Sequence, residues 1–289
     1  MGVTKSLDGG AVWGANLIKT TTVVEASYAG GASALSNYPV SNLLNPLRTK
    51  TARFNYDSGA STSVSIYLTF AEAVAIDKLA IAFVDTNIIQ QSKHIYVKAM
   101  ASAASETCQW PVYTYVGDNG VQRYYLDTPS SGTAPATTTE MKIVFGGNAL
   151  VTSDSYLEIG EIVLANYIDV DISTPFGRTV QNPSAYAASY GGQEYVDEKN
   201  FFNTISFNTT PMNSTSMYTL QNSIAAVGSA HTILDVHASD AGIGNAASST
   251  QGILNLASTY YGRLHKGIKT SIKGFNNSTL SLSFSEARK

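Results

Sequence analysis

NYPVSNLLNPLRTKTARF (residues 37–54) and, after a short polar gap, SVSIYLTF (residues 63–70) decide how this chain is read. Pro39 and Pro46 each push the residue before them towards extended backbone, so the first stretch reads as a twice-prolined, extended lead-in. Leu43 and Leu44 form its apolar anchor. In the second stretch Val64, Ile66, Leu68 and Phe70 alternate with Ser63, Ser65, Tyr67 and Thr69, the period-two pattern of a strand with one buried face. After an Ala-Glu-Ala bridge, residues 75–84 are apolar on both faces apart from Asp77 and Lys78, which predicts a central strand covered on two sides.

Working outward, further strands are expected at 95–100, 112–116, 124–126, 140–145 and 156–164, separated by turn-rich segments such as Asp118-Asn119-Gly120 and 129–139. Short strands at this spacing point to a sandwich rather than a parallel α/β sheet. In the last of them Leu157 and Ile159 share one parity and Ile162 and Leu164 the other. A bulge at Gly160 would return all four to the core. The pattern breaks at 166–171, and 173–192 reads as a loop with Pro175, Gly177, Pro183, Gly191 and Gly192. Three parts are therefore expected: an extended arm (1–36), a sandwich (37–166) and a smaller α+β domain (167–289), each domain with its own core.

In that last part a strand at 201–207, with Phe201, Ile205 and Phe207 on one face, precedes a helix at 214–227. Met217, Leu220, Ile224 and Val227 form the helix's apolar stripe, Ser214 or Thr215 its cap, and Gly228 its terminator. Strands at 232–237, 268–272 and 279–284 follow, with 253–262 of ambiguous state. The arm is rich in Gly, Ala, Ser and Thr, with a β-branched run at 20–24 and Trp13. Its few large apolar side chains cannot form a core, so a neighbouring subunit is expected to hold it by strand addition.

Taken in this order, Pro39, Asn42, Leu43 and Leu44, the basic residues Arg48, Lys50 and Arg53, the alternating strand, the Ala75-Ile76-Asp77 turn and the buried strand resemble the galactose-binding-like (discoidin-type, jelly-roll) β-sandwich. In particular they are similar to the version in structural proteins of tailed bacteriophages. The 167–289 segment is similar, more loosely, to C-terminal modules of tail-tip or baseplate proteins. The resemblance implies a mainly β, non-enzymatic virion protein, assembled in the host cytoplasm with copies of itself and other virion proteins. The alternatives it leaves are a carbohydrate-binding module for host-surface glycan and a head-decoration or neck protein. It also implies that ligands would meet loops at one end of the sandwich, 85–87 and 118–120, with Trp110, Tyr113 and Tyr115 as stacking surfaces.

Composition suits this reading. Charged residues are 13% of the chain, against about 25% in ordinary soluble domains, while 44% apolar content supplies a core. A net charge of −3 gives no basic field to gather nucleic acid or an acidic membrane. The cluster Arg263, His265, Lys266 and Lys269 reads as a solvated turn. The single cysteine, Cys108, excludes an internal disulfide and is expected to be a buried apolar residue beside Trp110. No apolar run reaches the roughly 20 residues of a membrane helix, and the N-terminus lacks the apolar segment of an export signal.

No Gly-x-Ser-x-Gly elbow, no Gly-x-x-x-x-Gly-Lys-Ser/Thr phosphate loop and no Gly-x-Gly-x-x-Gly between strand and helix occurs. His231, Asp235, His237 and Asp240 are the best metal candidates, the first three sharing strand parity, but edge-strand polar residues are the ordinary reading. Glu158 and Glu161 flank the proposed bulge without other marks of an acid–nucleophile pair. No catalytic residue, cofactor or metal is expected.

Overall fold

The structure, a computed structural model, describes residues 9–45, 50–56, 62–88, 95–102, 105–112, 121–126, 129–146, 155–188, 194–197, 201–228, 230–236, 259–264, 268–274 and 277–287. The chain begins with β1 (Gly9–Trp13), a 3-10 turn (Leu17–Thr20), β2 (Thr21–Ala29), β3 (Ser33–Ala34), a second 3-10 turn (Val40–Leu44) and β4 (Ala52–Asn55). It continues through β5 (Ser63–Ala75), β6 (Leu79–Thr86), β7 (Ile95–Ser102), β8 (Ser105–Val112), β9 (Val121–Tyr125), β10 (Ser131–Gly132) and β11 (Thr137–Gly146). Then come the 26-residue β12 (Tyr156–Gln181), a small hairpin of β13 (Ala185–Ala188) and β14 (Glu194–Asp197), and β15 (Phe202–Thr209). Helix α1 (Ser214–Val227), β16 (Thr232–Val236), β17 (Thr259–Leu264), β18 (Lys269–Ile272) and β19 (Ser278–Glu286) complete it.

The chain is mainly β, as expected, and its first part is a two-sheet sandwich. One sheet runs β10-β8-β7-β11-β5-β2, and the other is built on the first half of β12 with β3, β4, β6 and β9. Val64, Ile66, Leu68 and Phe70 of β5 enter the core between them, as their alternation requires. Leu43 anchors the lead-in there, although the lead-in coils into a 3-10 turn after Pro39 rather than staying extended. Leu157, Ile159, Ile162 and Leu164 all face the same core. The parity change lies at Gly160, opposite Asp85, whose φ is +51°. A Cβ on Gly160 would sit 2.8 Å from the Asp85 Cβ, so only glycine fits this crossing.

The expected loop over 173–192 is corrected at 173–181 and 185–188: β12 runs unbroken through the 166/167 boundary to Gln181 and β13 follows, while 182–184 connect them and 189–192 lie outside the described residues. Its second half starts a closed ring of six antiparallel strands, β12-β1-β16-β17-β19-β15 and back to β12. The hydrogen bonds show closure: Asn166 O faces Gly14 N on the β1 side, while Asp171 O faces Thr210 N on the β15 side. Inside the barrel lie Val12, Val170, Ile172, Ile205, Phe207, Leu234, Tyr260, Leu280, Leu282 and Phe284. Helix α1 adds Met217, Leu220 and Ile224 from its predicted stripe. Its cap is Asn213, whose side chain accepts from Ser216 N at 2.8 Å, not Ser214 or Thr215. Phe201, expected inward, is 63% exposed.

Two further expectations are corrected. The described part of the arm pairs within its own chain: residues 9–13 close the barrel, and residues 21–29, which hold most of the β-branched run, pair with β5 at the sandwich edge, while residues 1–8 lie outside the described residues. Nor are the two cores separate. A third cluster joins Ala11, Trp13, Tyr167, Ile233 and Tyr261 of the barrel wall to Ala80, Ala82, Val84, Val121, Tyr125, Val163 and Ala165 of the sandwich. Small side chains on β6 and β12 let the barrel backbone approach closely, and the aromatics fill what remains. Trp13 meets Tyr125 edge-on at 5.8 Å, and Tyr125 meets Tyr167 at 4.6 Å. This seam is the second cover that the apolar-on-both-faces β6 demanded.

Candidate functional site

Where β4 pairs with β12, Ala52 and Phe54 face the core with Leu157 and Ile159. Alternation therefore sends Arg53 and Asn55, opposite Glu158 and Tyr156, to the outer surface. The lead-in returns over this spot: Arg53 N donates to Tyr38 O at 3.1 Å, and Tyr38 N to Leu35 O at 2.9 Å. The Arg53 guanidinium thus lies between two rings, 4.4 Å from the centre of Tyr38 and 5.1 Å from that of Tyr156. Its Nη2 donates to Glu158 Oε1 at 2.9 Å, with the side chains 30% and 21% exposed. That hydrogen bond raises the Arg53 pKa further, so the charge is permanent.

The predicted loop 85–87 meets the same residues. Asn87 Nδ2 donates to Tyr156 O at 2.8 Å, and its Oδ1 accepts from Glu158 N at 2.8 Å. Thr86 Oγ1 donates to Glu158 O at 2.7 Å. Beyond them Asn55 Nδ2 donates to Ser33 Oγ at 3.0 Å. Among the described residues, Glu158 Oε2, Arg53 Nη1 and the Tyr38 and Tyr156 hydroxyls have no hydrogen-bond partner. The result is a fixed, half-exposed patch of ring surface ringed by charged and neutral hydrogen-bonding groups. The arrangement can hold a polyhydroxylated ligand by in-plane hydrogen bonds and ring contact. It carries no nucleophile with an adjacent base.

The other predicted positions do not join it. Trp110 is buried beside Cys108 in the sandwich core and offers no face to a ligand; Tyr113, Tyr115 and residues 118–120 lie outside the described residues. Glu158 and Glu161 part company at Gly160. Glu161 points into the seam, where it accepts from the Tyr261 hydroxyl and from Asn16 Nδ2 at 3.4 Å, with Lys19 Nζ at 3.5 Å. Lys19 also donates to Leu43 O at 2.6 Å and Asn45 O at 2.8 Å; burial pulls its pKa down, with Glu161 opposing that shift. Asp235 is buried and accepts from the Tyr125 and Thr259 hydroxyls, while His231 stacks on Tyr261 at 5.2 Å. His237 and Asp240 lie outside the described residues, and among those described no three His, Cys, Asp or Glu converge. Sequence reasoning missed the Arg53 patch because its parts come from 38, 53 and 156–158; only the register of β4 on β12 joins them.

No family model matches the chain, and no curated protein matches it. Solved structures do. The family 32 carbohydrate-binding module of NanJ from C. perfringens, in complex with galactose, is 14% identical over 55% of this chain and 99% of that one, with a TM-score of 0.37. A fucose-binding module of Streptococcus pneumoniae, SpX-3, is 12% identical over 53% and 99%, at 0.36. Reduced XRCC1 bound to the DNA polymerase beta catalytic domain is 15% identical over 50% and 97%, at 0.33. At such identities and scores the likeness says nothing of what this chain binds.

Proposed function

We propose that this protein is a non-enzymatic binding protein whose sandwich holds carbohydrate on the Tyr38–Arg53–Tyr156 face. The observation that carries the reading is the patch itself: an arginine fixed between two half-exposed rings, with donor and acceptor positions still unspent beside it. A sugar ring presents an apolar C–H face and in-plane hydroxyls, and this patch offers the complement of both. Hydrogen bonds to charged groups contribute about 1.5–3 kcal/mol each, enough for selective though weak recognition of a monosaccharide. The test is a glycan array followed by calorimetric titration of the best hit. Tyr38→Ala and Tyr156→Ala should each weaken binding about tenfold or more, the equivalent of about 1.4 kcal/mol. No binding across the array, or binding untouched by both substitutions, defeats the reading.

A second reading has its own observation. Where residues 177–181 of β12 pair with 202–206 of β15, Val180 on the one strand and Phe201 just before the other are 62% and 63% exposed. Apolar exposure of this kind fits a protein–protein contact, which a structural component of a tailed-phage virion at the tail tip, baseplate, neck or head would make with copies of itself or other virion proteins. Locating the chain in a map of an intact particle tests it.

A further inference from the structure

The barrel is built almost wholly from the C-terminal half of the chain, and one strand is foreign to it. Five of its strands come from residues 156–286, whereas β1 comes from residues 9–13. Between β1 and β12 the chain makes all the other strands of the sandwich. β1 nevertheless occupies a complete slot. On one side Gly9–Trp13 pair with Asp171–Tyr167, and on the other Gly10, Ala11 and Val12 pair with Val236, Asp235 and Leu234. Val12 plugs the barrel, and Ala11 and Trp13 plug the seam. The fit is tight: a Cβ on Gly10 would lie 2.5 Å from Asp235 O and 2.8 Å from Ile172 Cδ1.

Immediately after β1 the chain is locked to its own sandwich. Asn16 Nδ2 donates to Ile162 O at 2.8 Å, and its Oδ1 accepts from Leu164 N at 3.1 Å. Ile18, fully buried, follows. Gly14 and Ala15 are all that joins the foreign strand to this anchor, and a short connection of this kind is where exchange between copies begins. The order of assembly favours it too. β12 and β16 are some 65 residues apart in sequence and belong to one compact half, whereas β1 must return across the whole sandwich. An unfilled slot then shows two unpaired strand edges and an apolar lining.

We propose that the β12–β16 slot is an interaction surface for a second copy of this chain, which fills it with its own β1 by strand exchange. Every contact within the slot is the same whether β1 comes from the same chain or another, so exchange costs only the rearrangement at Gly14–Ala15 and the loss of tethering. The tether acts as an effective concentration on the order of millimolar, so exchange is favoured where copies are crowded or fold together. This inference is independent of the carbohydrate reading.

The test uses the full chain and the register. Ala11 and Asp169 are paired partners in neighbouring strands. A chain carrying Ala11→Cys is unfolded and refolded at high concentration with an equal amount of a chain carrying Asp169→Cys, then oxidised. Exchange yields a disulfide-linked species of twice the 30.7 kDa chain mass, containing one chain of each kind, and its yield rises with protein concentration. The double variant Ala11→Cys/Asp169→Cys, oxidised when dilute, reports the closed form as a same-chain disulfide. A mixture that gives no cross-chain disulfide at any concentration, while the double variant closes on itself, overturns the proposal. Failure of the double variant to close, with no cross-chain product, overturns it as well, because the slot would not then hold β1 in this register.

Discussion

Replacing Trp13 tests whether the seam joins sandwich and barrel into one cooperative unit. Trp13 is fully buried, lies edge-on to Tyr125 at 5.8 Å, and its carbonyl accepts from Thr232 Oγ1 at 2.8 Å. Truncating a buried Trp to Ala costs about 3–5 kcal/mol. Its indole Nε1–H is enclosed without a partner among the described residues, and removing such an orphan returns about 1–3 kcal/mol. The balance puts Trp13→Ala at a loss of about 2 kcal/mol. Trp13→Phe should lose about 1 kcal/mol or less, since the ring contact survives and the orphan donor goes. The assay is urea unfolding followed by far-UV circular dichroism and by tryptophan fluorescence. With Trp13 removed, Trp110 is the remaining tryptophan and reports the sandwich alone. The wild type should unfold in one coincident transition by both probes, and Trp13→Ala should move both probes to lower urea. A loss below about 0.5 kcal/mol, or a sandwich signal that stays put while circular dichroism shifts, would refute the coupling.

Two further outcomes follow from the geometry. Gly160→Ala should destabilise by about 1–3 kcal/mol in the same unfolding assay, because its Cβ meets Asp85 Cβ at 2.8 Å and Asp85 O at 2.9 Å. Burial raises the Tyr56 pKa well above its usual value near 10, so its contribution is intact below pH 10 and is lost as pH climbs towards the folded-state value. Above pH 10 the wild type should lose up to about 1.4 kcal/mol per pH unit more than Tyr56→Phe; parallel curves for the two would exclude this role. Lys19, with its lowered pKa, acts with the opposite sign just below its usual value, but equally in both proteins.

What the sequence determined by itself was whatever repeats over a few residues. Val64 to Phe70, the doubly apolar β6, the α1 stripe and the need for a register change at Gly160 are all local periodicities, and each sits where its spacing requires. The tertiary structure alone decided what covers what. Residues 9–13 look like a spare tail because GGAVW has no periodicity of its own; it becomes a strand through edges contributed by residues 167–171 and 234–236. Within the expected loop, 173–181 is strand because β15 pairs with Ser173 and with 177–181, the register shifting across the stretch that holds Pro175. Trp110 looked available as a stacking surface until its parity on β8 placed it in the core, whereas Arg53 became a site only when Tyr38 and Tyr156 closed over it. Backbone hydrogen bonds between strands carry no sequence code for their partner, so pairing across more than a hundred residues is settled by which faces must be buried together.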